Sequence, residues 1–418
     1  ISPMNQLFEF LWRDPDLTPL PISDLPLTRY MEFPYGWMVA RTGWDENAVV
    51  AEMKINIYHF GNHQHHDGGA FQIYHKGPLA MDAGVYRVYT STHNRAYNQR
   101  TIAHNSLLIY DPEEQFSSRK EYVNDGGQRL PNNRREPGTL TILLDPENEY
   151  RTGEVLAYGF GPSSHTPDYS YLKGDLTRAY SSKVNEVKRT FTFLNLYSDK
   201  IPAALIVYDK VVSGHSEFDK FWLLHSLEEP QINHNETTVS LNQRGWTGKM
   251  INTTLLPEMK NLQLTPVGGP GKEFWVFGKN YEHHPLKGDP NRYEIGDWRV
   301  EVKPKKAAAE DYFLNVMQVM DKDYNQKLDV TRIDGEKITG VRIADRMVLF
   351  SKNSEELDRG FSLEIPEEGT YKILLTDLLP GNWQVKKDNK VVIPAVAVKS
   401  EEGTLYFEGT KGNYTFLR

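Results

Sequence analysis

The chain has 418 residues, of which 39% are apolar, 12% aromatic and 25% charged, a globular composition long enough for more than one core. Its net charge of −8 argues against wholesale attraction to nucleic acid, which needs a basic face, and no run reaches the ~18 uninterrupted apolar residues of a membrane-crossing helix. With no cysteine in the sequence, disulfides and thiol chemistry are excluded.

Ser2 as a cap, Pro3 in the first turn and Met4, Leu7, Phe8, Leu11 and Trp12 at helical spacing predict a short amphipathic helix. The first residue is Ile1 and a signal-peptide pattern is missing, which reads as a processed or truncated product. One short helix does not bury its own apolar stripe. It is expected either to dock on the domain after it or to be the last helix of a helical domain upstream. Pro15, Pro19, Pro21 and Pro26 then mark an extended linker, so residues 1–30 read as helix and linker.

From about Tyr35 the texture is that of strands, with short runs rich in Val, Ile, Thr, Tyr, Phe and Trp between Gly, Pro, Asn and Asp clusters. The runs are Val49 to Phe60, Thr101 to Tyr110, Leu140 to Leu144, Val187 to Leu196, Ala203 to Val211, Phe221 to Leu227 and Trp298 to Val302. Alternation such as Lys188, Thr190, Thr192 against Arg189, Phe191, Phe193 suits antiparallel sheets. The polar stretches at Lys303 to Asp311 and Asp321 to Lys327 suggest a boundary near residue 318. The expectation is a mainly β protein with a large antiparallel β-sandwich over 31–318 and a smaller C-terminal β-sandwich over 319–418.

The chemistry concentrates between Gly61 and Asn105. Asn62-His63-Gln64-His65-His66-Asp67 places three imidazoles in four residues, which packing alone does not explain. If extended, the segment would put His63 and His65 on one face and His66 on the other. Asp82 and His104 are isolated polar groups among small or apolar neighbours, and such groups must be paired, neutral or metal-bound. Two imidazoles, one carboxylate and a water suit zinc better than calcium or magnesium; a hydrogen-bonded polar cluster is the competing reading. His75 and His93 compete for ligation, His93 being better suited to an anionic ligand. His225 reads as a satisfied core histidine.

Several segments are similar to one family. Gly36-Trp-Met-Val-Ala-Arg-Thr-Gly-Trp44, Asn62-His-Gln-His65, Phe71-Gln-Ile-Tyr-His-Lys-Gly-Pro-Leu-Ala80, Arg100-Thr-Ile-Ala-His-Asn-Ser-Leu-Leu-Ile-Tyr-Asp111, Phe221-Trp-Leu-Leu-His-Ser226 and the terminal Leu405-Tyr-Phe-Glu-Gly409 and Tyr414-Thr-Phe-Leu-Arg418 resemble the heparinase II type of heparin and heparan sulfate lyase. The resemblance runs through essentially the whole chain and is weakest from Val85 to Gln99. It implies an α/α toroid upstream, of which the first helix is the tail, followed by the two β domains. It also implies His65, Asp82 and His104 as ligands of a mainly structural Zn2+, and Asn62, His63 and Tyr86 as groups facing the cleft. The principal acid and base are expected from the toroid, leaving this chain inactive alone. Arg95 and Arg100 are expected to meet sulfates, with Arg87 beside them.

The resemblance further implies a bacterial periplasmic or secreted enzyme with a sulfated glycosaminoglycan as partner. It leaves room for a homodimer and gives no nucleic-acid or membrane partner. Lyases of alginate or chondroitin are an alternative, as are a carbohydrate-binding β module without turnover, using Trp44, Trp246, Trp275 or Trp383, and a zinc hydrolase.

Overall fold

The computed structural model describes residues 3–60, 63–116, 122–130, 139–283, 295–358 and 360–418. Pro3–Trp12 is a helix, and its apolar side chains from Leu7 onward are solvent-exposed, Phe10 and Trp12 most of all.

The strands Thr28–Met31, Trp37–Arg41, Val50–Lys54, Phe71–Tyr74 and Pro78–Ala80 form a five-stranded antiparallel meander. Its alternation is clean: Met38, Ala40, Ala51, Met53, Phe71 and Ile73 point into the core. Trp37, Val39, Glu52 and Gln72 are only partly covered on the other face. Against it stand an eight-stranded sheet centred on Val184–Asn195, Ala203–Ser213, Gly248–Leu256 and Glu310–Asp321, and a four-stranded sheet of Leu262–Gly268, Trp298–Pro304, Asp219–Ser226 and Leu107–Tyr110. Side chains of all three sheets, among them Phe71, Phe193, Val207, Met317, Trp222 and Val300, share one core.

The eight-stranded sheet is buried on both faces. Along Ala203–Ser213, Leu205 and Val207 enter the first core, while Ala204, Ile206 and Tyr208 enter a second one with Val341, Ile343, Val348, Phe350 and Leu374. That is why this strand is a nearly continuous apolar run rather than an alternating one. The second set comes from a seven-stranded C-terminal sheet, whose opposite face folds around its own core of Trp383, Phe361, Tyr414 and Phe416.

Several local expectations are corrected. Leu140–Leu144 is a one-turn helix: Thr139 caps it by accepting the Ile142 N–H, and Leu140, Ile142 and Leu144 stay exposed, so apolar content there does not signal a strand. The strand Glu310–Asp321 runs through residue 318 and pairs on both sides within the eight-stranded sheet, so the passage between sheets falls at 322–329. The C-terminal strands form a single hydrogen-bonded sheet that folds around its own core and packs on the larger one. Trp383 is completely buried, which removes it from any sugar-stacking role.

Candidate functional site

The polar face of the five-stranded meander ends at a cluster of ionisable groups. Leaving the strand Val50–Lys54, the chain turns at Asn56, whose φ is 57°. The histidine segment is a turn and not a strand, because His63 has a φ of 59°. His63 and His65 therefore do not share a strand face.

His63 is exposed and lies against the rings of Tyr86 and Tyr89, with centroids 6.2 and 6.0 Å away. Those tyrosines are 52% and 46% exposed. His65 points the other way, its Nδ1 3.2 Å from His104 Nε2. His66 is buried and stacks on His59 at 4.3 Å. Asn62 lies outside the described residues.

His104 is completely buried and its Nδ1 is 2.9 Å from Asp82 Oδ1. Although close, these two atoms are off the line that a hydrogen bond requires, and both are buried without a hydrogen-bond partner among the described residues. Asp67 completes a group in which one ligand atom each from Asp67, Asp82 and His104 lie within 4.8 Å of one another. Asp67 is held by Lys54 Nζ at 2.5 Å and by Asn56 Nδ2 at 2.6 Å, and Asp82 Oδ2 accepts from Gln72 Nε2 at 3.0 Å.

Burial alone pushes the Asp82 carboxyl up, but His104 and Lys54 outweigh it and hold Asp82 well below the usual carboxylate range. Burial pushes His104 down, and Asp82 more than reverses this. His65 falls to about 4, through burial first and His104 second. Burial raises Asp67, and Lys54 brings it below the ordinary value. Asp82 and His104 thus each favour the charged form of the other, while burial disfavours the charged form of His65.

Asp82 Oδ1 and His104 Nδ1 converge without a hydrogen bond, which a divalent cation would satisfy, so the residues fit a metal, although both Asp67 oxygens are already engaged by Lys54 and Asn56. The convergent set is Asp67, Asp82 and His104, with His65 against the far nitrogen of His104, which differs from a simple triad of His65, Asp82 and His104.

A hydrogen-bonded frame fixes these segments. Asn105 Nδ2 donates to the carbonyls of Phe71 and Met81, and its Oδ1 accepts the His225 N–H. Ser106 Oγ and Gln128 Nε2 donate to the Gly68 carbonyl, and Thr101 Oγ1 donates to the His66 carbonyl at 2.7 Å. Arg189, on the eight-stranded sheet, grips Asp209 with two bonds and spends its third nitrogen on the carbonyls of Gly69 and Asn105. At Gly69 (φ 76°) an added Cβ would lie 2.4 Å from Leu176, so the turn beside Asp67 needs glycine.

The structure separates the two arginines. Arg100 is fully buried, with Nε and Nη2 on Asp125 and Nη2 also on the Gln128 carbonyl, so it is a strut and does not meet a ligand. Arg95 lies partly exposed in the helical turn Asn94–Asn98. His93 is also corrected: it is buried, accepting from Val85 N through Nε2 and facing the Tyr281 carbonyl through Nδ1, which leaves no ring nitrogen for an anion. His75 is held by Asp321 at 2.9 Å, away from the cluster. His225 sits in the core with its ring nitrogens at Asn105 and the Ile102 carbonyl. Sequence reasoning missed Asp67, Lys54, Gln72 and Tyr89. Asp67 stood at the end of the histidine motif and was the legible one.

No curated protein matches the chain. The solved structures it resembles include the crystal structure of a mutant of heparan sulfate lyase HepC from Pedobacter heparinus, at 16% identity and a TM-score of 0.50, covering 79% of this chain and 43% of that one. Another is the heparinase III BT4657 gene product with methylated lysines, at 13% identity and a TM-score of 0.50, covering 78% and 41%. At these identities the likeness is one of fold, and the chain spans less than half the length of those lyases. The family described as heparinase II C-terminal domain matches residues 332–418, and the one described as heparinase II/III-like, C-terminal, matches residues 34–284. The chain belongs to the heparinase II/III-like C-terminal family.

Proposed function

We propose that this chain is the β portion of a polysaccharide lyase that cleaves heparin and heparan sulfate by β-elimination. The observation that carries the reading, within this family, is an exposed His63 packed against Tyr86 at the edge of a buried carboxylate and imidazole cluster. In such a reaction a base removes the proton at C5 of the uronate and the C4 oxygen departs with a proton, leaving an unsaturated uronate end. Charge develops toward the uronate carboxylate, which must be neutralised or hydrogen-bonded.

His63, with Asn62, serves that carboxylate in this reading. Tyr86 shapes the cleft and assists proton transfer, and Arg95 meets a sulfate. The principal acid and base come from an upstream helical domain, so the chain contributes half of a cleft and does not turn over alone. A zinc ion held by Asp82 and His104, with His65 and Asp67 beside them, would tie three β segments together. The enzyme acts in the bacterial periplasm or outside the cell.

The test joins this chain, in cis or in trans, to the helical domain of its own longer protein and offers heparin, heparan sulfate, alginate and chondroitin. Ultraviolet-absorbing unsaturated products are expected from the first two, and at least ~100-fold less from His63→Ala. Product from alginate or chondroitin only would refute the heparan assignment. Chelation is expected to lower stability together with activity; loss of activity at unchanged melting temperature would instead favour a catalytic metal.

A further inference from the structure

The polar face of the meander carries aromatic side chains with no part in the cluster. Tyr35, in the turn between Thr28–Met31 and Trp37–Arg41, is 56% exposed. Its ring lies 5.9 Å from that of Trp37, tilted by 60°, and Trp37 is itself partly exposed. Core packing accounts for neither ring, since the alternation of the strand puts Met38 and Ala40 inside and Trp37 outside.

Trp37 is tied to the cluster. Its Nε1 donates to Asn56 Oδ1 at 2.5 Å, and Asn56 donates in turn to Asp67. Lys54, opposite Trp37 on the next strand, places its ammonium 5.7 Å from the Trp37 ring centroid while bonding Asp67. The same face continues through Glu52 and its cross-strand neighbour Gln72 to Asp82. Two tilted aromatic rings thus adjoin a row of amide, carboxylate and ammonium groups.

That pairing has a definite chemistry. A pyranose presents an apolar C–H face and a rim of hydroxyls, so it is held by an aromatic face below and polar side chains at the edge. Farther along the same face, Glu52 and Gln72 offer carboxylate and amide oxygens as acceptors, the Gln72 Nε2 being held by Asp82.

We propose that Tyr35 and Trp37 form a sugar-stacking subsite that holds a pyranose ring of the polysaccharide beside the Asp67 end of the cluster. The inference rests on the lyase reading for the identity of the chain that is bound. It adds Tyr35 and Trp37 to the groups offered by His63 and Tyr86, and ties them to the cluster through Asn56.

The full 418-residue chain is titrated calorimetrically with tetrasaccharides of heparin, alginate and chondroitin. Binding of at least one is expected, weakened fivefold or more by Tyr35→Ala at an unchanged melting temperature, because the Tyr35 side chain is exposed. Trp37→Phe keeps a ring and loses the bond to Asn56. It is expected to weaken binding less and to abolish the sugar-dependent change in tryptophan fluorescence. If the parent binds no uronate tetrasaccharide, the subsite is refuted, while the lyase reading stands or falls on turnover with the helical domain joined. If the parent binds one and both variants bind it as the parent does, with the fluorescence change intact in Trp37→Phe, the subsite alone is refuted.

Discussion

At the residue scale, the histidines divide by what their ring nitrogens meet. His225 satisfies both of its own, and burial carries its pKa down to about 3. His59 is different: it is 7% exposed, both ring nitrogens lack a hydrogen bond among the described residues, and burial lowers it to about 4. Both are therefore neutral in the fold and would be protonated below about 6.5 in the unfolded chain. A folded pKa below the unfolded one means that stability is complete above pH ~6.5 and falls as the pH drops toward the folded values. Each such group contributes at most about 1.4 kcal/mol of loss per pH unit in that window. Denaturant titrations at pH 7, 6 and 5 should show this decline. His59→Phe removes no hydrogen bond and keeps the stack on His66, so it should be nearly neutral at pH 7 and flatten part of the acid limb. A parent whose stability is level from pH 7 to 5 would refute this account.

At the element scale, the strands were legible wherever pattern and burial agree. The run from Ala203 reads as a strand because both of its faces are buried, and the alternation after Val187 reads as one because Phe191 and Phe193 enter the first core on the face where Arg189 pairs with Asp209. Leu140–Leu144 misled because a capped turn with exposed leucines has the composition of a strand without its partners. The site was legible by residue type and not by geometry: His65, Asp82 and His104 do gather, but the positive φ at His63 and the role of Asp67 depend on contacts remote in sequence.

Arg189 is such a contact. Removing its charge alone, as in Arg189→Met, strands Asp209 at zero exposure and should cost about 3–5 kcal/mol. Adding Asp209→Leu should restore much of that stability. It should not restore the metal affinity proposed for the cluster, because the Gly69 and Asn105 carbonyls still lack the donor that braces the turn beside Asp67 and His104. A competition titration with a chelator on the double variant separates the two effects; parental affinity there would show that Arg189 serves the core alone.

At the scale of the whole molecule, the C-terminal sheet is bound to the eight-stranded sheet by more than apolar contact. Asp168, nearly buried, receives Arg346 Nη2 at 3.2 Å, Lys372 Nζ at 2.7 Å and the Tyr406 hydroxyl at 2.6 Å, all three from the C-terminal sheet. Lys173 of the larger sheet meets Asp377 at a second buried pair, and Asp377 also accepts the Ser351 N–H. Two charged anchors flanking a shared core couple the stabilities of the sheets, so the parent should unfold in one calorimetric transition. Asp168→Ala removes the acceptor shared by Lys372, the Tyr406 hydroxyl and Arg346, the last of which keeps the Asn195 carbonyl and Asp345, and should cost about 3 kcal/mol at this interface. The larger sheet keeps the first core intact in that variant, so the loss should fall on the C-terminal sheet. Hydrogen exchange should then quicken first across Arg346–Ser351 and Phe361–Leu375 while Val184–Asn195 stays protected. Equal acceleration in both sheets would mean that the coupling survives without Asp168 and resides in the apolar contacts of Ile206, Tyr208, Val348 and Phe350.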